Sequence, residues 1–175
     1  KTHFEAVELS SIIGMLIEEV SGWNRTQQII HQNTAFNQAQ VDQIEKYTEQ
    51  LISGKPIQYI LGKAWFMGQN FIVNENVLIP RPETEELVEW IISYAKIKNK
   101  TLSILDIGTG SGCISITLKM ALPHCEVSAL DISKEALKVA QLNANNLNVS
   151  LQWMEQNILD TVALENAYDI IRSEE

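Results

Sequence analysis

Cysteine, histidine and basic side chains are scarce in this 175-residue sequence, and no apolar run reaches membrane-spanning length. The two cysteines, Cys113 and Cys125, form no CxxC pair and have no histidine at metal spacing beside them. This excludes a disulfide framework and a zinc site of the usual kind, and leaves buried thiols as the expected state. His3 and His31 lack companions at metal spacing and are expected to be surface or cap residues, so no metal is expected. Lys and Arg number 13 against 22 Asp and Glu, a formal net charge of −9. That balance excludes an undirected attraction to nucleic acid, which needs clustered cations. The opening KTHFEAVELS carries acids where a secretion signal would be basic and then apolar, so the cytoplasm is the expected compartment. A charged fraction of only 20% beside 45% hydrophobic residues excludes wholesale disorder and allows a real core.

What is present is concentrated between Thr101 and Asp131. Leu102 to Ile107 is a short apolar run of the kind a buried parallel strand needs, and Gly108, Gly110 and Gly112 follow at once. Glycines there let the chain turn sharply and approach a ligand closely. A helix expected to open near Ser111 would aim its unpaired N–H groups and positive dipole end at the same loop, which includes Thr109. A second apolar strand, Val127 to Leu130, ends on Asp131. βαβ nucleotide sites place there the acid that hydrogen-bonds ribose hydroxyls. A dinucleotide fingerprint, GxGxxG, would need its third glycine where Cys113 stands, which disfavours an NAD-dependent oxidoreductase. Asp106 would repel a pyrophosphate but suits a cation such as an amino acid's ammonium. The D-x-G-x-G-x-G pattern resembles the first motif of class I methyltransferases, which bind S-adenosylmethionine. The resemblance implies that Asp106 lies near the methionine moiety and that Asp131, beside Ile132, holds the ribose.

Charge is unevenly spread: residues 101–175 carry four basic and ten acidic side chains, whereas residues 56–100 carry five of each. An acidic nucleotide-binding half favours a protein or small-molecule substrate. Before it, Phe4 to Val20 has helical apolar spacing and Gly22 as a stop, Arg25 to His31 suits a short helix, and Asn37 to Ser53 suits a third. Residues 1–55 are thus expected to be a small helical domain, marginal alone. Residues 56–80 read as a β-hairpin linker, with aromatic and β-branched residues alternating around Gly68. Pro80, Arg81 and Pro82 stiffen the entry to a helix whose first turn holds Glu83, Thr84, Glu85 and Glu86. Past Asp131, Ser133 is an expected N-cap for a helix through Leu147. Strands are expected over Ser150 to Met154 and Tyr168 to Ile171.

The run QYILGKAWFMGQNFIVNENVLIPRPETEELVEWI followed by LDIGTGSGCI resembles the HemK/PrmC family, protein-glutamine methyltransferases that modify peptide-chain release factors. The resemblance spans nearly the whole chain, including the helical start and its linker. It implies an α/β fold: a class I S-adenosylmethionine-dependent methyltransferase domain over 81–175, Rossmann-like and doubly wound with strand order 3-2-1-4, behind the helical domain and hairpin. It also implies methyl transfer to a glutamine side-chain amide, with S-adenosylmethionine as cofactor, a release factor as partner, no membrane and no direct nucleic acid. A monomer is expected. Pro80 to Glu85 would border the active site, and Asn157 and Ile158 would meet the adenine. Asn157 stands where the family often has Asp, and a capping or turn role is open to it as well.

One feature of the family is missing. Its fourth strand runs into an Asn-Pro-Pro-Tyr tetrad that grips the substrate amide, whereas this sequence reads YDIIRSEE. Arg172, Ser173, Glu174 and Glu175 do not reproduce the paired acceptors an amide NH₂ needs, so no catalytic residue is assigned. The sequence is therefore expected to hold the first half of the methyltransferase domain, or to be interrupted between Ile171 and Arg172. A non-catalytic cofactor-binding module, or a methyltransferase acting on another protein or a nucleic-acid amino group, is the competing expectation.

Overall fold

Two reciprocal caps set the helices of the first half. In the computed structural model, which describes residues 5–98, 100–160, 164 and 166–173, the chain divides between Leu61 and Gly62 into two units. Helix α1 (Ala6–Ser21) ends at Gly22, whose φ of 73° lets its N–H reach the Glu18 carbonyl at 2.8 Å. The expected helix start at Phe4, like His3, lies outside the described residues. Helices α2 (Arg25–Ile30) and α3 (Gln38–Ile52) each begin with a capping box, Asn24 with Gln27 and Asn37 with Gln40, so two orphan donors are satisfied at each start. His31 is the C-cap of α2 and stacks on Trp23 with centroids 4.6 Å apart. Gln40 also donates to the Val20 carbonyl at 3.1 Å, tying α3 to the end of α1.

The expected hairpin linker over 56–80 differs from the structure at its start. Ile57–Leu61 is a fourth helix, α4: the Pro56 carbonyl accepts from Tyr59 and Ile60 at 3.1 Å, and Ile57 is buried with Ile12, Leu16 and Leu51. Ile57, Ile60 and Leu61 fall on one helical face, and burial on that face overrides the alternating pattern.

The hairpin itself is β1 (Lys63–Phe66) paired antiparallel with β2 (Gln69–Ile72). Its two turn residues, Met67 and Gly68, have φ of 48° and 77°, as a tight hairpin turn requires. Phe66 and Phe71 are both fully buried and meet edge to face at 6.1 Å, within the core of the α/β unit. Helix α5 (Pro82–Lys98) follows, and its Glu85 carboxylate accepts from the Met67 N–H at 2.7 Å. That bond satisfies a turn donor the hairpin leaves unpaired.

The larger sheet is all parallel. It contains β3 (Ser103–Ile107), β4 (Glu126–Asp131), β5 (Gln152–Glu155) and β6 (Ile170–Ser173) in the spatial order β5-β4-β3-β6, which is the expected 3-2-1-4. Helices α6 (Cys113–Ala121) and α7 (Lys134–Asn146) alternate with the strands, and Ser133 caps α7 by accepting from Ala136 N–H at 3.2 Å. Ile104, Leu105, Leu118 and Leu130 are at most 1% exposed, the burial that drives a parallel layer. The fourth strand lies two residues later than expected. Asp169 is used before pairing begins: its carboxylate accepts from the Ser103 N–H at 3.0 Å and from Lys100 at 2.8 Å. The ladder then runs from Ile104 opposite Ile170 to Ile107 opposite Ser173.

Candidate functional site

The glycine loop is held from both sides. Gly108 and Thr109 donate backbone N–H groups to the Leu130 carbonyl at 2.9 and 3.0 Å, and Gly110 donates to Asp131 Oδ2 at 2.9 Å. Asp131 Oδ1 accepts from Ser133 N–H at 2.9 Å, so this carboxylate latches the loop to the end of β4 and to the start of α7. Each carboxylate oxygen keeps a lone pair for a further donor, which is what a ribose hydroxyl would use.

The three glycines do different work. Gly108 and Gly110 have φ of 69° and 54° with no atom within 4 Å of where a Cβ would stand, so they supply left-handed backbone beside open space. At Gly112, φ 78°, a Cβ would lie 2.9 Å from Ile116 Cδ1 and 3.0 Å from Ala140 Cβ. This glycine is the seat of α7 against the loop. It is also the N-cap of α6, which starts at Cys113 rather than Ser111, without a side-chain cap. The Ser111 hydroxyl is buried in the loop with no hydrogen-bond partner among the described residues. An unsatisfied donor there, at the amino end of α6, fits a ligand that brings acceptor oxygens.

Beneath the loop, Asp106 is completely buried. Its Oδ2 accepts from Thr109 Oγ1 at 2.7 Å, Thr109 lies 2.9 Å from Ser115 Oγ, and Oδ1 accepts from Arg172 Nη1 at 3.2 Å. Burial holds this carboxyl above its ordinary pKa, against the opposing pull of the Thr109 hydroxyl and the Arg172 guanidinium. Cys113, also buried, is pushed up to about 12 by desolvation, so it stays a neutral thiol at physiological pH. Cys125 is a buried free thiol too, as expected.

A cleft of about 40 Å³ opens in front of the loop, lined by Pro80, Arg81, Thr84, Gly108, Gly110 and Arg172, among others. The structure thus brings part of the expected active-site border to the glycine loop. Pro82 and Glu83 are exposed at the start of α5, and Glu85 is engaged with the hairpin turn. Ile132 is 65% exposed beside Asp131. Asn157 and Ile158 follow β5, which is joined to the site by the Gln156 N–H on the Asp131 carbonyl at 3.1 Å. The Asn157 side chain accepts from Leu159 N–H at 3.0 Å and donates to Asp160 at 2.6 Å, capping a 3₁₀ turn over Ile158–Asp160. These are the capping bonds open to it in the sequence. A larger hollow of about 660 Å³ lies at the opposite end, beside Ser103, Glu126 and Gln152 where the strands begin. Open α/β sheets bind ligands at the carboxyl ends of their strands, so the smaller cleft is the candidate site. Among the described residues no group of three or more His, Cys, Asp or Glu could hold a metal.

Two participants were not read from the sequence. Arg172 reaches Asp106 only because the parallel register sets them opposite one another. Asn143 of α7, 1% exposed, accepts from Ile72 N–H at 2.7 Å and donates to the Ile72 and Ser111 carbonyls at 2.9 Å each. It joins the hairpin to the glycine loop.

A parallel 3-2-1-4 sheet, a D-x-G-x-G-x-G loop at the carboxyl end of its first strand and an acid closing the second define the class I S-adenosylmethionine-dependent methyltransferase fold. Family models agree: residues 90–174 match the methyltransferase small domain and residues 10–62 the PrmC N-terminal domain. The chain is 46% identical over 172 residues to the release factor glutamine methyltransferase of Flavobacterium psychrophilum, covering 97% of this chain and 60% of that protein. The enzymes of the same name from Enterococcus faecalis and Bacillus subtilis are 43% and 34% identical, over 84% and 91% of this chain and 52% and 60% of theirs. This chain belongs to the HemK/PrmC family. It spans little more than half the length of the relatives it matches.

Proposed function

We propose that this chain is the substrate-recognition and cofactor-binding portion of an enzyme that methylates the side-chain amide nitrogen of a glutamine in a peptide-chain release factor. The observation that carries the reading is the glycine loop fastened to Asp131 in a chain 46% identical to a release factor glutamine methyltransferase. S-adenosylmethionine fits the residues present: two open glycines for close approach, an unsatisfied Ser111 hydroxyl, and a carboxylate at the end of β4. That cofactor supplies a methyl group already activated on sulfonium. The protein's part is then to position reactants, a contribution that can reach several kcal/mol of barrier.

In this reading Asp131 holds the ribose hydroxyls while keeping Gly110 in place, and Gly108 and Gly110 let the ligand lie against the backbone. The helices before Gly62 recognise the release factor, acting in the cytoplasm as a monomer without direct contact to nucleic acid or membrane. No residue here is assigned to hold the glutamine amide.

Calorimetric titration tests the cofactor site: S-adenosylhomocysteine should bind and NAD should not. Tight NAD binding with no response to S-adenosylhomocysteine would overturn the reading. Asp131→Ala should weaken S-adenosylhomocysteine binding by about 1.5–3 kcal/mol through loss of charge-assisted hydrogen bonds. For the activity, the protein should transfer radiolabelled methyl to a release factor, and a release factor with its acceptor glutamine replaced should stay unlabelled.

A further inference from the structure

Arg172 is a buried cation in front of a ligand loop, and its position has a consequence for what that loop can bind. It is 6% exposed, stands opposite Asp106 in the β3–β6 ladder, and donates Nη1 to Asp106 Oδ1 at 3.2 Å. The other oxygen of Asp106 accepts from Thr109 of the glycine loop at 2.7 Å. Both oxygens of Asp106, whose charge suits a ligand's ammonium, are therefore engaged by the protein itself. Arg172 also lines the cleft in front of the loop, whose volume is about 40 Å³.

We propose that Arg172 is a specificity-determining residue of this site: its guanidinium competes with the ligand's ammonium for Asp106, so that affinity comes from the nucleoside end and little from the amino-acid end. This rests on the reading of the loop as an S-adenosylmethionine site. A guanidinium is always charged and holds a carboxylate in fixed geometry, which makes it a persistent competitor for that seat. A neutral side chain of similar reach would free one oxygen of Asp106 to accept from the ligand's ammonium.

The test is calorimetric titration of the 175-residue chain with S-adenosylhomocysteine, which has the ammonium, and with methylthioadenosine, which lacks the whole amino-acid end. The two should bind the unaltered chain within about threefold of one another. Arg172→Gln should tighten S-adenosylhomocysteine by about tenfold or more and leave methylthioadenosine within about twofold, since one charge-assisted pair is gained only by the first ligand. The proposal is overturned if S-adenosylhomocysteine binds the unaltered chain about tenfold tighter than methylthioadenosine, a ratio that decides even where Arg172→Gln does not fold. It is equally overturned if Arg172→Gln shifts both ligands alike. Either result leaves the cofactor site standing, whereas failure of both ligands to bind any of the proteins removes the site and the proposal together.

Discussion

Gly112→Ala lowers the stability of the α/β unit by about 2–5 kcal/mol, measured as a shift in urea midpoint. Two independent costs combine. At φ 78° an L-residue pays the left-handed penalty of about 1–2 kcal/mol. The new methyl would also stand 3.0 Å from Ala140 Cβ and 3.3 Å from Ala140 Cα, and overpacking of this kind costs about 1–3 kcal/mol. Ile116 Cδ1 at 2.9 Å can turn aside, but Ala140 is fully buried on α7 and its backbone has nowhere to go. Gly110→Ala is the control. With φ 54° and open space around it, it carries only the backbone term of about 1–2 kcal/mol, and its larger effect should fall on S-adenosylhomocysteine affinity. Equal destabilisation by the two substitutions would show that Gly112 does not seat α7.

The loop and its acid were legible in the sequence because everything that defines them is local. An apolar strand, three glycines and a carboxylate closing the next strand occur in chain order, and burial then forces the parallel layer. The strand order followed from the resemblance to class I methyltransferases, since chain order alone does not decide on which side of the first strand the fourth one pairs. What escaped notice is of two kinds. Ile57–Leu61 is too short for periodicity to separate helix from strand, and what decides it is the burial of Ile57 in a cluster with Ile12, Leu16 and Leu51 from earlier in the chain. The polar partners depend on register: Arg172 with Asp106 spans 66 positions and Asn143 with Ile72 spans 71. An arginine inside YDIIRS beside apolar strand residues was nevertheless a signal, since a buried charge needs a partner and Asp106 lies in the neighbouring strand. Asn157 could be read two ways because a short amide serves equally as a turn cap and as a ligand contact.

Asn143→Leu should cost about 3–5 kcal/mol and should weaken S-adenosylhomocysteine binding as well. The side chain is 1% exposed and makes three bonds: it accepts from Ile72 N–H and donates to the carbonyls of Ile72 and Ser111. Ile72 ends the second strand of a two-stranded hairpin, so Asn143 supplies the pairing that a third strand would otherwise give. Leucine fills similar volume but abandons one donor and two acceptors in a dry site, and each orphaned group costs about 1–3 kcal/mol. Asn143→Asp isolates the donor half of this arrangement. Its carboxylate would face two carbonyl oxygens, so the folded state should raise its pKa above the unfolded value of about 3.9. A group raised in this way contributes stability that is present below the unfolded pKa and is lost as pH rises through the folded one. The urea midpoint of Asn143→Asp, relative to the unaltered chain, should therefore fall with increasing pH, whereas that of Asn143→Leu should show no such added dependence. Because the Ser111 carbonyl belongs to the glycine loop, ligand affinity should drop in folded Asn143→Asp too. Unchanged affinity in a folded variant would mean that the loop keeps its shape without the hairpin, and that Asn143 serves stability alone.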